Sequence, residues 1–157
     1  MRILIVEDEA IIALCIGMTL QEAGHEVMGP VATLDECMKL AERTMPELAL
    51  VDINLEAAGS GVDVAREMLE RWGVMSIFVS AQEVVARRSR DAAVGYLNKP
   101  FDTRTLLESV EVAELLQQGS TPTRVPNGLE LFVETEGEQQ QEPWQAALER
   151  AQVPRAQ

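Results

Sequence analysis

The chain has 157 residues, 46% of them hydrophobic and 25% charged, which suits one ordinary globular core with some chain left over. A net charge of −13 argues against the clustered Lys/Arg footprint of a nucleic-acid binder and against attraction to an anionic membrane surface. No apolar run approaches the roughly 18 residues of a membrane span, and residues 3–20 are interrupted by Glu7, Asp8 and Glu9 and lack a basic start, so no signal peptide is expected.

Residues 2–6, Arg-Ile-Leu-Ile-Val, read as a central parallel strand, apolar almost throughout. Residues 10–23 space Ile11, Leu14, Cys15 and Met18 as one helical face, with Gly24 as the stop. Residues 26–31 form a second strand, expected at an edge because it contains Gly29-Pro30. Thr33 with Glu36 three positions on is a capping box for a helix reaching residue 43. Residues 47–51 are a third strand. Residues 62–71 are a helix that puts Val62, Ala65, Met68 and Leu69 on one side. A fourth strand over 74–79, a short polar helix over 83–93 and a fifth strand over 94–97 follow. The last helix, 103–117, points Leu106, Leu107, Val110 and Leu115 inward. Five strands alternating with five helices predict a doubly wound α/β fold with a five-stranded parallel sheet. The expected domain is 1–118. Residues 119–157, rich in Gln, Glu, Pro and Gly, are expected to be an acidic tail, disordered or weakly ordered. Within that tail, 129–133 could form a short strand and 143–151 a short helix.

In such a sheet the carboxyl ends of the strands line one crevice, where ligands bind. Glu7 and Asp8 follow the first strand, Asp52 the third and Lys99 the fifth, so three carboxylates and one ammonium are expected to converge there. Carboxylates at close range disfavour one another's ionisation, and a hard divalent cation such as Mg²⁺ relieves the repulsion through oxygen ligands. A carboxylate can also act as a nucleophile toward phosphorus. The constellation therefore suggests phosphoryl transfer to or from a carboxylate. Each residue alone has a plainer reading: Glu7, Asp8 and Glu9 as helix N-terminal acids, Asp52 as a loop cap, Lys99 as a solvated surface charge. Those readings do not account for the convergence. Gly59-Ser60-Gly61 lacks the third glycine of a dinucleotide fingerprint and is read as loop and helix start. His25 is read as a loop residue beside Gly24, and Cys15 and Cys37 as small buried thiols of a reducing compartment.

On the acidic pair after the first strand, Asp52 after the third, Ser80 ending the fourth and Lys99-Pro100 after the fifth, the chain resembles the receiver domain of two-component response regulators over residues 1–117. The resemblance implies the flavodoxin-like receiver fold with strand order 2-1-3-4-5. It implies that Asp52 is the phosphoacceptor from a sensor histidine kinase, that Asp8 binds Mg²⁺ directly and Glu7 through water, and that the Asn54 backbone carbonyl completes the metal site together with Asp52. It further implies that Lys99 and Ser80 hold the phosphoryl group, that Ser80 and Tyr96 form the switch, and that Lys99-Pro100 is cis. Such a chain is a cytoplasmic signalling switch rather than an enzyme, with self-phosphorylation and self-dephosphorylation chemistry. It works through protein partners, with no nucleic acid or membrane. The loop after Asp52 lacks the family's usual Met-Pro, and the stretch from Ser80 to Lys99 is short, so a short fourth helix and a monomer or weak dimer are expected. The whole pattern looks like a stand-alone receiver. Two alternatives stand beside it: a Mg²⁺-dependent phosphatase of haloacid-dehalogenase type, which wants Asp-x-Asp after the first strand, and a receiver fragment of a longer DNA-binding regulator.

Overall fold

The computed structural model describes residues 1–56, 60–132, 145, 146, 148 and 149. Strands β1 (Arg2–Val6), β2 (Glu26–Val31), β3 (Leu48–Val51), β4 (Met75–Ser80) and β5 (Gly95–Asn98) alternate with helices α1 (Ala10–Glu22), α2 (Leu34–Arg43), α3 (Gly61–Trp72), α4 (Glu83–Arg88) and α5 (Thr103–Gln117). The five strands are parallel, as their alternation with helices predicts, in the order β2-β1-β3-β4-β5 that the resemblance implies. The sheet is doubly wound, and its side chains alternate between two apolar layers. Ile3, Ile5, Leu48, Leu50, Ile77 and Val79 pack with α1 and α5. Leu4, Val6, Ala49, Val51 and Phe78 pack with α2, α3 and α4. β3 and β4 are buried at every position, which explains their continuous apolar sequences.

The helix ends carry local signals that the sequence displays. Thr33 Oγ1 accepts from the Glu36 N–H at 3.2 Å, and the Glu36 carboxylate accepts from the Ala32 N–H at 2.9 Å. Ser60 caps α3 through the Val62 N–H, and Asp102 caps α5 through the Thr105 N–H. Gly73 closes α3 in the left-handed region at φ 65°.

Three sequence expectations are corrected. First, the apolar stripe of α1 faces outward. Ile11, Leu14 and Met18 are 79%, 61% and 52% exposed and Cys15 is exposed, while Ala13, Ile16 and Leu20 face the sheet. α1 is apolar on more than one side, so spacing alone could not choose the buried face. In α5, likewise, Leu106 and Val110 are inward but Leu115 is largely outward, and Val112 and Ala113 are buried instead. Second, α4 ends at Arg88, so the expected helix over 83–93 is shorter by its last five residues. Third, the expected tail beyond residue 118 contributes a sixth strand, β6 (Leu129–Leu131), antiparallel to β5. Leu129 fills the α1/α5 layer and Phe132 the α3/α4 layer, 7% and 2% exposed. The strand falls within the 129–133 segment that the sequence offers as a short strand; what the sequence does not show is that it completes the sheet, since a three-residue strand takes its stability from its neighbours. Of the expected helix at 143–151, Gln145, Ala146, Leu148 and Glu149 are helical, and the remainder lies outside the described residues. No helix among the described residues is long and apolar enough to cross a membrane.

Candidate functional site

The parallel register brings the carboxyl ends of β1, β3, β4 and β5 side by side. Main-chain bonds hold the residues just beyond them. The Asp52 N–H donates to the Val6 carbonyl at 2.8 Å, the Glu7 N–H to Val31 at 3.0 Å, and the Lys99 N–H to Ser80 at 3.1 Å. The Lys99–Pro100 peptide bond is cis.

Lys99 Nζ lies 2.7 Å from Glu7 Oε2 and 2.9 Å from Asp52 Oδ2. Both acids are 4% exposed, so this is a buried ion triad with hydrogen bonds to its other oxygens. The second Asp52 oxygen, Oδ1, accepts from the Asn54 N–H at 2.9 Å, and Glu7 Oε1 accepts from the Glu9 N–H at 3.0 Å. Asp8 Oδ2 accepts from the Glu56 N–H at 2.7 Å, tying the loop after Asp52 to the loop after β1. One oxygen each from Glu7, Asp8 and Asp52 lies within 4.8 Å of the others. Burial raises the Glu7 carboxyl above the usual carboxylate range; Lys99 and the Glu9 N–H partly offset this, and the Asp52 charge adds to it. Burial alone would lower Lys99, but its contacts with Glu7 and Asp52 outweigh that and hold it above its ordinary value. Three acids face one ammonium, and their hard oxygen donors suit Mg²⁺.

Each candidate site residue lies among the described residues. Glu7, Asp8, Asp52 and Lys99 converge. Asn54 is exposed and adjoins them through its main chain. Ser80 ends β4, 2% exposed, and its Oγ accepts from the Gln82 N–H at 3.1 Å. Tyr96 lies one layer back, 4% exposed in the α3/α4 apolar layer, between Phe78 of β4 and Glu130 of β6 in the strand register. His25 is at the opposite end of the sheet, its Nδ1 3.2 Å from the N-terminal ammonium.

Gly61 is a site residue the sequence reading missed. A Cβ built there would lie 1.8 Å from the Asp52 carbonyl oxygen and 2.7 Å from its carbon. The first turn of α3 thus rests directly on the main chain of Asp52, and the Gly61 N–H donates to Ile53 O at 3.0 Å. The available signal was a glycine in a helical first turn, where it weakens the helix by about 1 kcal/mol relative to Ala unless packing requires it. A groove of about 500 Å³ is lined by Ile11, Ile12 and Cys15 of α1, by Pro100, Phe101 and Leu106, and by Lys99, which links it to the acids.

An open α/β sheet with an acidic cluster and a lysine at the carboxyl ends of its parallel strands defines a class of proteins that bind and react in that crevice. The chain belongs to the response regulator receiver domain family, whose model matches residues 3–111. It is 34% identical over 115 residues to the transcriptional regulatory protein PdtaR of Mycobacterium tuberculosis, covering 71% of this chain and 56% of that one. It is 32% identical over 121 residues to the phyllosphere-induced regulator PhyR of Methylorubrum extorquens, covering 76% and 45%. The chain thus spans about half the length of these curated relatives. Among solved structures, the signal receiver domain of a modulated diguanylate cyclase from Desulfovibrio desulfuricans G20 superposes with a TM-score of 0.69 at 30% identity, covering 74% of this chain and 95% of that one. This membership favours a signalling receiver over a haloacid-dehalogenase-type phosphatase. Receiver domains accept phosphoryl groups in signalling and carry an acidic Mg²⁺ pocket, and the Glu7/Asp8/Asp52 cluster is the corresponding feature here.

Proposed function

We propose that this chain is a two-component receiver that accepts a phosphoryl group on Asp52 from the phosphohistidine of a sensor histidine kinase and switches protein–protein interactions in the cytoplasm. The observation that carries the reading is the Asp52 carboxylate, buried and held on one oxygen by Lys99 Nζ and on the other by the Asn54 N–H. Those contacts fix the nucleophile's orientation before the donor arrives, which removes much of the entropic barrier to transfer. An Asp52 oxygen bonds to phosphorus, the phosphorus–nitrogen bond breaks, and its electron pair leaves with the imidazole. Lys99 then pairs with phosphoryl oxygens as a point charge. Asp8, Asp52 and the Asn54 carbonyl would hold Mg²⁺, with Glu7 acting through water. When bound, that ion neutralises charge on the transferring phosphoryl oxygens. Loss of the phosphoryl group by hydrolysis returns the switch to rest, so the chain is a signalling component rather than an enzyme acting on a separate substrate.

The donor must bring its imidazole to this crevice, and the apolar groove shares Lys99 with it. The outward Ile11, Leu14 and Met18 of α1 and the Phe101 side of the groove form the surface for a kinase helix. Ser80 is the hydroxyl that turns toward the phosphoryl group, and Tyr96 is the aromatic residue that follows. The downstream partner is a protein, with no nucleic acid or membrane in the acidic chain's recognition, and the receiver works as a monomer or weak dimer.

The test is incubation with Mg²⁺ and acetyl phosphate followed by intact-mass measurement. One phosphoryl group per chain is expected, lost in Asp52→Asn. Undiminished labelling of Asp52→Asn, or label mapped to His25, would sink the assignment.

A further inference from the structure

The sixth strand is fastened to the part of the domain that leads back to Asp52. Arg87, in the last turn of α4, grips Glu130 of β6 with two prongs: Nε lies 3.0 and 3.1 Å from the two carboxylate oxygens and Nη2 2.7 Å from Oε2. Its third nitrogen, Nη1, is 2.5 Å from Glu83 in the first turn of the same helix. α4 has six residues, too few to stand without support. Its entry is held by the Ser80 hydroxyl, which accepts from the Gln82 N–H. Opposite the grip, β5 is shaped for β6: a Cβ at Gly95 would lie 2.6 Å from the Glu130 carbonyl oxygen. Beyond the ladder, the Asn98 N–H donates to Gly128 O and the Phe132 N–H to Val94 O, both at 2.9 Å. Phe132 and Leu129 are buried, so the strand rests closed.

We propose that residues 128–132 are a latched edge strand whose opening is governed by the phosphorylation site. The inference rests on the proposed function above, in which Ser80 turns toward a phosphoryl group on Asp52. When its hydroxyl turns inward, the Gln82 N–H loses its acceptor. The entry of α4 loosens, Arg87 is no longer held at a fixed distance from β5, and the fork on Glu130 is lost. Buried Phe132 and Leu129 keep the strand mostly closed even then, so phosphorylation raises the frequency of opening and does not expel the strand. Opening uncovers the outer edge of β5, a row of main-chain groups able to pair with another strand.

Amide hydrogen exchange resolved to short peptides reads this opening directly. In the wild-type chain with Mg²⁺ and excess acetyl phosphate, with Asp52 occupancy followed by intact mass in the same samples, exchange at 128–132 is expected to rise roughly tenfold, while β1 and β3 stay unchanged. An exposed ion pair contributes up to about fivefold of that, and loss of the Ser80–Gln82 hydrogen bond supplies the rest. Without phosphodonor, Arg87→Ala is expected to raise exchange at 128–132 by up to about fivefold. Gly95→Ala should also raise it, by crowding Glu130. Unchanged exchange at 128–132 in a sample with Asp52 occupied overturns the link to phosphorylation. Unchanged exchange in both unphosphorylated variants overturns the latch itself. If Asp52 takes up no phosphoryl group, the proposed function fails and the link to phosphorylation falls with it, while the two variants still decide whether Arg87 and Gly95 hold the strand.

Discussion

Gly61→Ala is the substitution that joins fold to site most directly. Its added Cβ would sit 1.8 Å from the Asp52 carbonyl oxygen, 2.7 Å from its carbon and 2.9 Å from Ile53 Cα. All three are main-chain atoms, so no side chain can rotate away. The start of α3 and the end of β3 must separate by more than about 1 Å to reach even the tightest ordinary contact. Two effects oppose each other. Ala favours the helix over Gly by about 1 kcal/mol. Overpacking a well-fitted site costs about 1–3 kcal/mol, and the upper end applies where backbone must move. The net expectation is about 2 kcal/mol of destabilisation, which for a chain of this size lowers Tm by about 4–8 °C. Because Asp52 is the atom group displaced, labelling by acetyl phosphate should slow by roughly tenfold or more, given that a misplacement of about 1 Å can cost about a hundredfold. Gly17→Ala is the control. A Cβ there meets Ile5 and Val27 at 3.7 and 3.8 Å, ordinary contact, so the same chemical change should be neutral or stabilising. Thermal unfolding and the labelling rate are the two measurements. A Gly61→Ala chain with wild-type Tm and wild-type labelling would show that α3 does not rest on Asp52 as described.

Glu7→Gln is expected to stabilise the Mg²⁺-free protein at neutral pH. Burial raises the folded-state pKa of Glu7 above 4.5, so its ionised form opposes folding; that cost is absent below 4.5 and complete once pH passes the raised value. Melting curves should therefore separate the variant from wild type at pH 7.5 and not at pH 4, and a lower Tm for the variant at pH 7.5 would refute the sign. Mg²⁺ at about 100 times its Kd should add about 2.7 kcal/mol of apparent stability, roughly 5–10 °C in Tm. Asp8→Ala should lose this shift, and an equal shift in that variant would remove Asp8 from the metal site. A maleimide should modify exposed Cys15 promptly and Cys37 only on unfolding, since burial pushes the Cys37 thiol up to about 12. Mass mapping that finds Cys37 modified first would contradict the packing of α2.

Much of the molecule was legible in the chain because its signals are local. Apolar runs of four to six residues marked β1, β3 and β4, and Thr33, Ser60 and Gly73 sit where helix-end geometry needs them. Strand alternation then fixed a parallel sheet, and a parallel sheet carries Glu7, Asp8, Asp52 and Lys99 to one edge with no further information. What the sequence could not decide depends on contacts between distant segments. Ile11, Leu14 and Met18 look like an inward stripe because α1 has apolar residues on more than one side; only packing against β1 and α5 selects Ala13, Ile16 and Leu20. The role of Gly61 appears only when α3 is laid on Asp52, since a missing side chain leaves no mark until something occupies its space. The sixth strand is the clearest case. The sequence offers a short strand at 129–133 but no partner for it; Leu129-Glu130-Leu131 joins the sheet because Gly95 leaves room for its main chain, Arg87 takes the Glu130 carboxylate, and the two core layers have places for Leu129 and Phe132.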